Sequence, residues 1–139
     1  MTEAQAIELI GQRFATQWPA LTAALPGAPY PFCLKDEALP SADTFAMCTW
    51  KMVSRDQRTM GSPSRKMTRL LILVKLWAPA GQSAAIAQLA DIARQIFEGQ
   101  NLGTGDVVNI LAGATGSEDD DGRWTMLMVS FPAWFMHQS

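Results

Sequence analysis

The chain has 139 residues, 48% of them hydrophobic and 17% charged, which suits one globular domain and excludes a disordered protein. Its pI of about 5.3 excludes a dedicated nucleic-acid binder, and we expect at most transient, non-specific contact with DNA. The longest aliphatic run, residues 70–74, is much shorter than the ~20 residues of a membrane helix. Residues 1–10 contain two acids and no base, unlike a signal peptide. We therefore expect no membrane association.

The charged residues are sorted along the chain. Between Lys51 and Lys75 lie seven of the eleven basic residues, and Asp56 is the only acid there. This stretch carries +6 and the remaining residues carry −8. Separate positive and negative regions suit a protein that binds its own copies head to tail or engages one charged partner. The alternative is an exposed hairpin whose charges are simply solvated.

The first predicted element is a helix over residues 2–17, which Pro19 is expected to end. Apolar residues recur on it every three or four positions: Ile7, Ile10, Phe14 and Trp18. Residues 19–43 contain five prolines and predict a long Pro-rich connection, with one short strand near residues 30–34.

The middle of the chain predicts two strands and a second helix. Residues 44–54 and 66–78 alternate as strands, and residues 55–65 predict a projecting, mobile basic loop that contains Gly61 and Pro63. The second strand is apolar on both faces, which is typical of a central strand covered on both sides. Residues 83–98 have helical spacing. We expect the apolar stripes of strand and helix to pack together: Leu70, Ile72, Val74 and Leu76 against Ile86, Leu89, Ala93 and Ile96.

The last third of the chain predicts a hairpin. A third strand over residues 106–115 is followed by an acidic turn over 117–122 and a fourth strand over 123–131. Pro132 is expected to end that strand or to place it at a sheet edge, which leaves residues 132–139 as a C-terminal tail. The predicted fold class is α+β, with residues 1–139 as one domain and two main helices on a largely antiparallel sheet of about four strands.

Five tryptophans and eight methionines are many for this length. Both residue types are enriched at protein interfaces, and methionine also fills irregular cores. The composition alone leaves a methionine-filled core and an interface as equal alternatives.

The sequence predicts no catalytic residue, no cofactor and no metal site. The only histidine, His137, is close to the C-terminus, and Cys33 and Cys48 lack the spacing of a metal or redox motif, so we expect reduced thiols. The acidic turn fails the calcium-loop pattern, because a loop with Gly122 at its sixth position would end on Met128, where a glutamate is required. Residues 103–106 are glycine-rich but precede a strand, unlike a phosphate-binding loop.

The order of elements resembles the tail-terminator, or tail-completion, family of long-tailed bacteriophages and prophages. The resemblance is carried by residues 44–99, with a strand ending in Trp50, a polar loop with Gly61 and Arg65, the strand and turn LLILVKLWAPAG, and a helix containing Leu89-Ala90-Asp91. It continues in the acidic turn, Arg123-Trp124 and the final Phe131-Pro132.

The resemblance implies a non-enzymatic subunit, made in the bacterial cytoplasm, that forms a hexameric ring in the virion tail. Its partners would be its own copies, the major tail-tube protein and a head-completion or connector protein. Alternatives are a head-side connector, another minor tail protein, a small monomeric adaptor for an acidic partner, or an enzyme using Asp36 and Glu37.

The charge pattern suggests which residues would make contacts between subunits. The basic candidates are Arg55, Arg58 and Arg65. The acidic candidates are Glu118, Asp119, Asp120 and Asp121. Opposite charges on two loops would favour contact between different surfaces of neighbouring copies. The alternative is that the basic loop contacts the tail tube or passing DNA and the acidic turn is only solvated.

Overall fold

Two helices and one sheet make up the part of the chain that the computed structural model describes, namely residues 1–22, 30–33, 45–57, 65–79, 83–116, 119–120 and 124–138. The helices are α1 (Glu3–Thr22) and α2 (Ser83–Phe97). The strands are β1 (Tyr30–Cys33), β2 (Phe45–Gln57), β3 (Arg65–Pro79), β4 (Asn101–Leu102), β5 (Val108–Ile110), β6 (Ala114–Thr115), β7 (Asp119–Asp120) and β8 (Trp124–Gln138).

The strands form one sheet in the order β1-β2-β3-β8-β5-β4, and β6 and β7 also pair with β8. Every pair is antiparallel except β1 with β2. The structure therefore confirms the predicted α+β class and corrects the expected number of about four strands. The additional strands are short, and β4, β6 and β7 have only two residues each, which is too few for an alternating pattern to reveal.

Both helices pack on one face of the sheet, which we call the inner face. The predicted β3 stripe is confirmed as core, since Leu70, Ile72, Val74 and Leu76 are at most 1% exposed. The predicted α2 stripe is confirmed as well, since Ile86, Leu89, Ala93 and Ile96 are at most 2% exposed. These residues belong to one core cluster that also contains the buried side of α1.

A row of buried aromatic rings joins the two helices to the sheet. In α1, Phe14 stacks on Trp18 with ring centroids 5.2 Å apart. Phe14 also lies 6.3 Å from Phe97 in α2, and Phe97 lies 5.5 Å from Phe131 in β8. Because each ring is in contact with the next, a displacement of any one of them disturbs both layers.

Helix α1 does not end at Pro19 as predicted, but continues to Thr22. Pro19 cannot donate to the carbonyl group four residues earlier, on Ala15. Both Ala15 and Pro19 are exposed, so water can reach that carbonyl group. The buried residues Trp18 and Thr22 anchor the helix on either side of the proline, and the Thr22 hydroxyl donates to the Trp18 carbonyl at 2.7 Å.

The predicted C-terminal tail is also wrong, because β8 continues through Pro132 to Gln138 and pairs with β3 along its whole length. The Pro132 carbonyl accepts a hydrogen bond from the Leu111 N–H at 2.8 Å, so the backbone polar groups of Pro132 point away from β3. The N–H group that Pro132 lacks would therefore not have formed a hydrogen bond with β3. His137, expected in a tail, lies within this strand at the position opposite Lys66.

Two other predicted boundaries change. The third strand, expected over residues 106–115, is divided into β5 and β6 with a break at residues 111–113. Strand β2 extends to Gln57 and β3 begins at Arg65, so the predicted loop contributes residues to both strands. Residues 58–64, for which mobility was predicted, lie outside the described residues, as do residues 23–29 and 34–43 of the Pro-rich connection.

Candidate interaction surface on the sheet

The face of the sheet opposite the helices, which we call the outer face, is rich in large apolar side chains. From β2 it contains Lys51 and Val53. From β3 it contains Met67, Arg69, Leu71, Leu73, Lys75 and Trp77. From β8 it contains Met126, Met128, Ser130, Pro132, Trp134 and Met136. The strand pleat places these residues on the side away from the core.

Methionine is characteristic of this outer face rather than of the core. Four methionines lie on it, and none of the methionines whose side chains the structure describes is fully buried. Trp77 and Trp134 accompany them and are partly exposed. This distribution favours an interface over a methionine-filled core as the explanation of the composition.

Part of the outer face forms a groove of about 450 Å³, which we call the outer groove. The apolar residues of its lining are Val53, Met67, Leu70, Leu71, Leu111, Pro132, Ala133 and Trp134. Val53 is 56% exposed and Leu111 is 52% exposed, although both are large hydrophobic residues. Arg69 also lines the groove and adds a positive charge to it. A partly exposed apolar groove is suited to binding an apolar segment of a partner.

A β-bulge at Val53 determines which charged side chains of β2 lie on the outer face. Met52 pairs with Leu70 and Ser54 pairs with Arg69, so Val53 is an extra residue without its own partner in β3. The extra residue reverses the alternation and places Arg55 opposite Thr68, on the inner side. Arg55 there makes an ion pair with Glu3 of α1.

Of the predicted basic contact residues, Arg55 is therefore bound within its own subunit instead of projecting from a loop. Arg65 is the first residue of β3, opposite Gln138, and Arg58 lies outside the described residues. The basic side chains that the structure places on the outer face were not predicted: Lys51 and Arg69 are exposed, and Lys75 is partly buried.

The predicted acidic residues lie at the other end of β8. Asp119 and Asp120 form β7 and pair with Met126 and Thr125, whereas Glu118 and Asp121 lie outside the described residues. From Met126 to Ala133, which borders the outer groove, the strand advances by about 23 Å at about 3.3 Å per residue. Among the described residues, β7 and the outer groove therefore lie at different positions along β8.

The structure describes one buried thiol and no cluster of metal ligands in the part of the chain that it covers. Burial raises the pKa of the Cys48 thiol to about 12. The residues that the structure describes contain no group of three or more histidine, cysteine, aspartate or glutamate side chains able to hold a metal ion. They also contain no helix that is long and apolar enough to cross a membrane.

The sequence did not predict the outer groove, because the apolar pattern of the strands fits both a buried and an exposed face. Strand β3 is apolar on both faces, which predicted burial on both, and the described helices cover only the inner one. Leu111 was predicted to lie within a continuous strand. The residues around Val53 contain no pattern that predicts a β-bulge. The one usable signal was the excess of methionine and tryptophan.

Comparison with known proteins identifies the fold and no family. No family model matches the sequence, and no curated protein matches it. Nine chains of solved structures match, and one of them superposes with a TM-score of 0.67. That chain is 15% identical, and the match covers 92% of this chain and 94% of the other. At this identity the similarity shows a shared α+β fold and carries no function with it.

Proposed function

We propose that this protein is a ring-forming structural subunit of a bacteriophage-like tail, which caps the tail tube and helps to join the tail to the head. The observation that carries the proposal is the outer face, where methionine, tryptophan and leucine side chains remain partly exposed on three long strands. A surface of this composition is typical of subunits that function in assemblies.

The arrangement of charge supports a closed assembly of copies. Lys51 and Arg69 lie on the outer face near the groove, and the acidic residues Asp119 and Asp120 of β7 lie at the other end of the same sheet. A contact between two different surfaces of neighbouring copies is heterologous, and such contacts generate rings when the rotation closes. We propose a hexamer, because the resemblance in element order to tail-terminator proteins implies six subunits around a tail.

The partners that follow are further copies of the chain, the major tail-tube protein and a head-completion or connector protein. A monomeric adaptor for an acidic partner would use the same basic, apolar groove. The mass of this protein's assembly on the particle distinguishes the tail subunit from the adaptor. An adaptor would be present as single copies, whereas a tail subunit would be present as a ring.

Removal of the gene from the phage or prophage that encodes it tests the proposal. We expect free heads together with unjoined tails, visible by electron microscopy, and restored particles when the wild-type gene is supplied in trans. An antibody against the protein should label the head-proximal end of purified tails. Normal, infectious particles from the deletion strain would refute the proposal.

A further inference from the structure

We propose that in the free protein the outer face is covered by the outer face of a second copy of this chain. The contact is isologous, because the same surface of each copy takes part and a two-fold axis relates the two copies. The inference goes beyond the proposed function and does not rest on it. In a tail subunit, such a dimer would keep the apolar side chains of the outer face from water until assembly.

The outer face needs a second layer. A sheet that is apolar on both faces buries each face against another element. Both helices that the structure describes pack on the inner face, so the described part of the chain supplies no layer for the outer one. Leu71, Trp77 and Trp134 are partly exposed there. Two sheets that pack face to face, about 10 Å apart, bury such side chains, and a second copy has a face of the same composition and twist.

The area of the outer face is sufficient for a specific contact. Strands β2, β3 and β8 are 13, 15 and 15 residues long. At about 3.3 Å per residue and about 4.8 Å between strands, the region that they share measures about 43 Å by 14 Å, or about 600 Å². Two such faces bury about 1,200 Å² together, which exceeds the roughly 1,000 Å² expected of a biological interface.

The basic residues exclude two positions of the axis. We place the axis across the strands, so that each strand lies over its own counterpart in the opposite direction. An axis at the level of Ile72, the middle of β3, puts Arg69 of one copy over Lys75 of the other. An axis at the level of Leu71 puts Lys51, which pairs with Leu71, over its own counterpart. Both arrangements bring like charges together, and such contacts are unfavourable.

An axis at the level of Leu73 avoids both repulsions. It puts Arg69 of one copy over Trp77 of the other, and a guanidinium group over an indole ring is attracted to it. In β8 it puts Trp134 over Met126, and a thioether beside an aromatic ring is favourable as well. The tryptophans and methionines of the outer face would therefore contact one another across the axis.

Sedimentation velocity of the full-length protein tests dimer formation. We expect the wild type to dimerise at concentrations up to about millimolar. Leu71→Asp puts a charge into the contact and should weaken dimerisation about tenfold or more. Leu21→Asp, at an exposed leucine of α1, is the matched control and should dimerise like the wild type. Circular dichroism verifies that each variant is folded. A wild type that stays monomeric throughout this range, or a folded Leu71→Asp protein that dimerises equally well, would overturn the proposal.

Cysteine substitutions test the position of the axis. Ser130 pairs with Leu73, so on the proposed axis it faces its own counterpart. A disulfide can join facing strands of two packed sheets, so Ser130→Cys should give a covalent dimer on a non-reducing gel with oxidised glutathione as the oxidant. Met128→Cys on the same face should not, because it would lie about 13 Å from its counterpart and the Cα atoms of a disulfide lie within ~7 Å. The wild type controls for Cys33 and Cys48. No covalent Ser130→Cys dimer, or equal cross-linking of the two variants, would refute this arrangement.

The dimer and the tail function are decided by different results. A monomeric wild type, combined with unjoined heads and tails in the deletion strain, would refute the dimer and leave the tail function standing. A cross-linked Ser130→Cys dimer, combined with intact particles from the deletion strain, would refute the tail function and leave the dimer standing.

Discussion

Gly113 is the position where one added methyl group should disturb the core most directly. A Cβ atom at this residue would lie 2.5 Å and 2.7 Å from two ring carbons of Phe131. Carbon atoms normally approach to ~3.5–4.0 Å, so the ring would have to retreat by about 1 Å. Phe131 is completely buried and its ring centroid is 5.5 Å from that of Phe97, so the ring has little room.

We therefore expect Gly113→Ala to lower the free energy of unfolding by about 1–3 kcal/mol, the usual cost of overpacking a core. Gly11→Ala is the matched control, because no heavy atom lies within 4 Å of the Cβ position in the middle of α1. There the same substitution should raise the free energy of unfolding by about 0.5–1 kcal/mol, since alanine is the better helix former.

Urea unfolding followed by circular dichroism measures both effects. Phe131→Leu supplies the second half of a double-mutant cycle, because a smaller side chain makes room for the new methyl group. The double variant Gly113→Ala/Phe131→Leu should lose less stability than the two single losses added together, by at least ~0.5 kcal/mol. A Gly113→Ala protein as stable as the wild type, or losses that simply add, would refute the reasoning.

Three further predictions concern stability. Val74→Asp puts a charge on a completely buried strand position and should abolish the folded circular dichroism spectrum, whereas Val53→Asp, at a position 56% exposed, should remain folded. Thr2→Ala should cost about 0.5–2 kcal/mol in urea unfolding and Thr2→Ser much less, because the Thr2 hydroxyl accepts from the Gln5 N–H at 3.2 Å and caps α1. Burial raises the pKa of the Cys48 thiol from 9.0 to about 12, so above about pH 9 the unfolded chain loses this proton while the folded chain keeps it. Stability should then fall with rising pH by up to ~1.4 kcal/mol per unit relative to Cys48→Ala, and equal slopes for the two proteins would contradict this.

Long elements with a clear pattern were predictable from the sequence. The alternation in β3 and the helical spacing in α2 identified the two stripes of the core correctly, because each pattern persists over several turns or residue pairs. The extent of β8 was not predictable, because the effect of Pro132 depends on which neighbour its missing N–H would face. That direction is a property of the assembled sheet.

The candidate surface was less predictable than the core, for a related reason. Sequence shows how many basic residues lie between Lys51 and Lys75, and a bulge of one residue decides which face each of them occupies. A shift of one position moves every later side chain to the other face of the sheet. Arg55 was therefore assigned to the solvent, although the structure pairs it with Glu3.

The bulge at Val53 thus determines on which face of the sheet the basic residues of β2 lie. Before the bulge, Lys51 lies on the outer face; after it, Arg55 is turned toward α1, and the position opposite Arg69 is taken by the uncharged Ser54. Arg55 then contributes to holding a helix on the sheet, where an exposed ion pair is worth only ~0–1 kcal/mol. Arg69 lines the outer groove, and Lys51 lies on the same face. In the proposed assembly, the exposed apolar side chains would supply most of the strength of a contact between copies.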